Sequence, residues 1–91
     1  MNTEHARKIN SAACACWMFQ NGIRTQLKRE HILEIRNATV GQIQTASEVI
    51  EAENDEAPAI NGVRHLSTML APEAAMQLKA YVMTLPVPPL P

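Results

Sequence analysis

Aromatic residues are nearly missing from this 91-residue chain, with Trp17, Phe19 and Tyr81 forming the whole set. The core cannot rest on ring packing and must be built from Ile, Leu, Val, Met and many alanines. That composition favours helices over strands, and alanine lets helices approach closely. Cysteine is equally scarce, with only Cys14 and Cys16. On a helix two thiols at this spacing point about 200° apart, which excludes chelation of one ion. His5, His31 and His65 fall on separate predicted elements, so no zinc site and no cofactor is expected. Buried small hydrophobes are the ordinary reading of both cysteines.

Neither sign of charge dominates. The net charge is −1, divided into +3 over residues 1–36 and −4 over residues 37–91. This split argues against general affinity for nucleic acid or a membrane surface, but it allows a local basic patch. The apolar run at residues 12–19 is too short to span a bilayer, and the first residues show no secretion signal. The expectation is a cytoplasmic protein with reduced thiols and no membrane partner. Asn37-Ala38-Thr39 matches a glycosylation sequon, which carries no meaning without secretion. No GxSxG, P-loop or HExxH pattern occurs, so the chain reads as a non-enzyme.

What the chain does contain is helical periodicity. Thr3 is a candidate cap for a first helix over residues 4–20, and Asn21-Gly22 supplies a stop. Ala6, Ile9, Ala13, Cys16 and Trp17 share a face. From Ala12 to Phe19 the polar face vanishes, which asks for burial on all sides and suggests a subunit interface. Residues 25–53 read as one long helix capped by Thr25. Ile32, Ile35, Thr39, Ile43, Ala46 and Ile50 form its core stripe, with Leu33 and Val40 off the stripe. Such a helix spans roughly 42 Å, against a globule about 30 Å across. Its charges also run against the helix dipole, with Lys28, Arg29 and Arg36 at the start and Glu48, Glu51 and Glu53 at the end. Both features predict a second, antiparallel copy.

After an acidic break at residues 54–58, Asn61 is placed to cap a third helix carrying Val63, Leu66, Met69 and Leu70. Pro72 suits the first turn of a fourth, running to about Thr84. There Leu78, Val82 and Leu85 share one face with Ala71 and Ala75, while Met76, Ala80 and Met83 line nearly the opposite one. The last residues, Pro86 to Pro91, favour polyproline II.

Four constellations carry candidate function. His31-x-x-Glu34 pairs a base and an acid on one helix face, but without a nucleophile or ligand cluster it reads as solvated surface. Arg24, Lys28, Arg29 and Arg36 form a basic cluster able to grip phosphates, although Glu30 and Glu34 are interleaved. Pairing with the acidic end of a neighbouring copy is the preferred reading of that cluster. Met69, Met76 and Met83 recur at seven-residue intervals and suit an adaptable partner-binding stripe, with core packing as the ordinary alternative. Pro86-x-x-Pro89 and Pro88-x-x-Pro91 match a minimal SH3-ligand pattern without an adjacent arginine.

The predicted architecture is all-α, a small bundle of three to four helices with one long central helix at about 25–53. Residues 1–85 form the domain and residues 86–91 a proline-rich tail. An antiparallel homodimer or higher oligomer is expected, its interface drawn from Trp17, Met18, Phe19, Arg29, Leu33, Arg36, Val40, Glu48 and Glu51. The expected function is stoichiometric binding to another protein, in the manner of small regulators or inhibitors carried by phages and other mobile elements. The alternatives are a dimeric nucleic-acid-binding regulator using Arg24, Lys28, Arg29 and Arg36, and an oligomer that sequesters a small anionic ligand on the same residues.

Overall fold

Asn2, rather than Thr3, opens the first helix, α1 (Thr3–Gln20). Its side-chain oxygen accepts the backbone N–H of His5 at 2.8 Å, which satisfies one of the donors a helix start leaves orphaned. Thr3 is thereby released, and its hydroxyl donates to Glu53 at 3.0 Å. The expected stop holds. Gly22 adopts φ +73°, a left-handed conformation that costs glycine no Cβ clash. Gly22 N–H then bonds Phe19 O at 3.1 Å and Ile23 N–H bonds Met18 O at 2.8 Å. This is the paired closure of a Schellman motif.

The computed structural model describes residues 1–53 and 72–90. The expected third helix, with Asn61, Val63, Leu66, Met69 and Leu70, lies outside the described residues. Those described form four helices and no strand: α1, α2 (Arg29–Asn37), α3 (Val40–Glu53) and α4 (Pro72–Met83).

The long central helix expected at 25–53 is instead two helices behind a loop. Thr25 lies in that loop, and Lys28 occupies the N-cap of α2 without a side-chain cap bond. The break falls at Ala38, which is extended at φ −84°, ψ 144°. Thr39 and Gln42 enforce it. Gln42 N–H donates to Thr39 Oγ1 at 3.0 Å, and Thr39 N–H donates to Gln42 Oε1 at 2.9 Å. This is a reciprocal capping box, which starts a new helix where the apolar period alone would continue the old one.

The break turns only part of the reversed polarity round, since Lys28 at the N-cap and Arg29 at the first position of α2 still oppose the dipole. Within α2, Glu30 sits in the first turn and Arg36 in the last, the order a helix dipole favours. The acidic end of α3 remains, and the chain answers it internally. Arg7 on α1 lies 3.5 Å from the Glu53 carboxylate.

α1 is the hub, packing against α2, α3 and α4, while α4 also closes over α2 and α3. The core joins Ala6, Ile9, Ala13 and Cys16 of α1 to Ile32 and Ile35 of α2, Ile43, Ala46 and Ile50 of α3, and Ala75, Leu78 and Val82 of α4. The stretch expected to need a partner finds most of its cover at home. Ala12, Ala13, Ala15 and Cys16 are buried, whereas Trp17, Met18 and Phe19 are half-buried. One polar contact lies inside this core. Ser47 Oγ, fully buried, stands 3.2 Å from Asn10 Oδ1 and 3.1 Å from its own helix's Ile43 carbonyl.

Two further contacts lock the α2 end of the bundle. Lys79 Nζ on α4 donates to the carbonyls of Arg36, at 3.2 Å, and of Ala38. It satisfies acceptors stranded where α2 stops. The tail after α4 runs back to α2, where Arg29 donates to Pro88 O at 2.7 Å and Val87 packs on the core. No helix among the described residues is long and apolar enough to cross a membrane.

Candidate functional site

Three surfaces among the described residues bear on function. The first is the outer face of α4. Burial of Ala75, Leu78 and Val82 turns the opposite side outward, leaving Met76 and Met83 55% and 49% exposed with Ala80 between them. Both unbranched side chains sit on a regular helix, where a partner can press against them without disturbing the core. Met69, the first member of the expected stripe, lies outside the described residues.

The second surface is the loop between α1 and α2. Arg24 and Lys28 stand here over a hollow of about 260 Å³, which Thr25, Gln26 and Leu27 complete. Arg24 Nε donates to Gln26 O at 3.0 Å, which steadies the guanidinium on the loop. The other two residues of the expected basic cluster point to different work. Arg29 holds the tail, and Arg36 is half-buried in the last turn of α2. The structure therefore gathers two of the four bases, not a stripe.

The third surface is a cleft of about 420 Å³ between α1 and α2. Arg7, Lys8 and Ser11 line it from α1, and Glu30, His31 and Glu34 from α2. His5, also on α1, places Nε2 3.9 Å from the Glu34 carboxylate. The expected His31–Glu34 constellation is thus present on one wall, but its basic neighbours on α1 carried no signal in the sequence. They become neighbours only because α1 and α2 pack side by side.

The electrostatics around these surfaces are consistent. Burial pushes His31 below its ordinary value near 6.5, and the charges of Arg24 and Lys28 push it the same way against Glu30. Its Nδ1 is buried without a hydrogen-bond partner among the described residues. Burial raises Cys14 and drives Cys16 up to about 12, although Arg24 opposes both. At neutral pH both are protonated thiols and poor nucleophiles. Cys16 Sγ lies 3.9 Å from His31 O and Cys14 Sγ 3.8 Å from Met18 Sδ. Among the described residues no three His, Cys, Asp or Glu side chains converge to hold a metal ion.

The residues expected to form a self-association interface fall on α1, α2 and α3. Trp17, Met18 and Phe19 close α1, Leu33 is half-buried on α2, Val40 is half-buried against the core, and Glu48 and Glu51 are exposed on α3. Comparison with protein-family models, curated proteins and solved structures finds no match.

Proposed function

We propose that this chain is a non-enzymatic helical binding protein that acts by stoichiometric contact with another protein, as a small regulator or inhibitor. The observation that carries this reading is the exposed pair Met76 and Met83 on an otherwise well-packed helix. Two large flexible apolar side chains in water, on the far side from a satisfied core, suit a surface that adapts to a partner. A chain that binds through such a face needs no nucleophile and no cofactor. A second copy is the competing occupant, in a homodimer or higher oligomer. The support for it is weaker than the sequence implied, because the charge reversal that called for an antiparallel copy is divided between α2 and α3 and partly answered by Arg7.

Affinity capture from the source lysate, scored by mass spectrometry for protein and nucleic acid together, tests the reading. The expected result is one protein retained at near-equal stoichiometry by the natural chain and lost by a Met76→Lys, Met83→Lys double variant. Retention by the double variant, or no specific protein at all, overturns it. Sedimentation of the purified chain separates self-association from capture of a different protein.

The basic loop supports a second, nucleic-acid reading, now reduced to Arg24 and Lys28. Two phosphate contacts predict a shallow dependence of affinity on salt, with a slope near −2 on logarithmic axes.

A further inference from the structure

The α1–α2 cleft has walls of opposite sign. Arg7 and Lys8 stand on α1, and Glu30 and Glu34 on α2. Helices pressed together with complementary charges commonly join them in ion pairs, but these four side chains do not pair with one another. Among the described residues, no contact within 4 Å joins Arg7 or Lys8 to Glu30 or Glu34. Arg7 turns to Glu53 and Glu34 meets His5. The charges are left facing each other across a space of about 420 Å³, a volume within the usual range for small-molecule sites, about 300–1,000 Å³.

The arrangement selects a ligand class. With His31 neutral, the lining carries equal numbers of positive and negative groups. A simple anion gains from the α1 wall and is repelled by the α2 wall, and a simple cation meets the reverse. Only a ligand with its own separated charges gains from both. Packed helix axes lie about 8–10 Å apart, so an ammonium and a carboxylate at opposite ends of a short chain fit better than two on one carbon. Ser11 and His31 add polar groups between the walls.

We propose that the α1–α2 cleft binds a small zwitterion of di- or tripeptide size, with its carboxylate toward Lys8 and its ammonium toward Glu30. Arg7 and Glu34, each already engaged, reinforce the field of their wall. This site is separate from the α4 face, and neither proposal depends on the other.

Triglycine is the probe. Its titration into the labelled full chain at neutral pH is followed by the amide resonances of Ser11 and His31. N-acetyl-triglycine removes the ammonium and triglycinamide removes the carboxylate. Triglycine is expected to bind, and each capped form to bind about tenfold more weakly or worse, since each loses one charge-assisted contact. Lys8→Gln should bring triglycine down to the level of triglycinamide, and Glu30→Gln to that of the acetylated form. Equal binding of all three probes overturns the proposal, as does no binding at millimolar concentration. A loss on capping one end only also overturns it, because one wall is then idle.

Discussion

Lys79 Nζ lies 3.2 Å from the carbonyl oxygen of Arg36. A single ammonium from α4 thus meets the last turn of α2, and it also bonds Ala38 O at the break. Replacing Lys79 by Met keeps much of the stem's packing but strands both acceptors. Hydrogen bonds involving a charged group contribute about 1.5–3 kcal/mol. Lys79→Met is expected to lower unfolding free energy by about that amount, as read by urea denaturation. An unchanged midpoint would show that water replaces the ammonium without loss.

The Thr39–Gln42 box is the second point of fragility. Thr39→Ala removes the acceptor for Gln42 N–H and should cost about 1 kcal/mol. Hydrogen exchange at the Gln42 amide should accelerate with it, while exchange at Ile35 in α2 follows global stability only. Equal acceleration at both sites would mean that the box does no more than contribute to the whole.

Asn10 and Ser47 should behave as a unit. Ser47→Ala leaves Asn10 Oδ1 without the hydroxyl it faces at 3.2 Å, at a cost of about 1–3 kcal/mol for a buried acceptor. Adding Asn10→Leu, close in size, should recover most of that loss. A double variant as damaged as the sum of the singles would mean that the two side chains are not coupled.

His31 and Cys16 give stability a pH dependence with opposite limits, and Cys14, also raised by burial, adds to the alkaline side. His31 is held below its ordinary value near 6.5 by burial and by Arg24 and Lys28, with Glu30 opposing and Glu34, Arg7 and Lys8 lining the same cleft. The unfolded chain therefore binds a proton first on acidification. The stability due to His31 is complete above 6.5 and is lost as pH falls through the folded value. Cys16 acts at the other end. Its thiol is raised from an ordinary 9.0 to about 12, so its contribution is complete below 9.0 and is lost as pH rises toward 12. Denaturation midpoints across the pH range should fall on both flanks. His31→Leu should flatten the acid flank and Cys16→Ala the alkaline one. A flank that persists in its variant belongs to other groups.

Local chemistry was legible in the residues and long-range chemistry was not. Asn21-Gly22 announced the end of α1, because a glycine stop depends on a few adjacent residues. Ile32, Ile35, Ile43, Ala46 and Ile50 were read as buried, and they are. The same stripe concealed the break, since a box of Thr39 and Gln42 can restart a helix without disturbing the apolar spacing on either side. Thr39, read as part of the core stripe, is exposed as a result. Arg7 with Glu53, Asn10 with Ser47, Arg29 with Pro88 and Lys79 with Arg36 join residues far apart along the chain. No spacing rule reaches across such distances. The basic wall of the cleft gives no signal for the same reason, whereas His31 and Glu34 of the other wall, within one turn of α2, stand out as a pair that the sequence alone reads as solvated surface.

Because α1 touches every other described helix, the described helices offer no seam at which they could be divided. A fragment ending after Asn37 would keep Ala6 and Ile9 but lose α3, which packs on the same helix and shares their core, and a fragment beginning there would lack α1. The eighteen residues of α1 are thus the layer that the other described helices share.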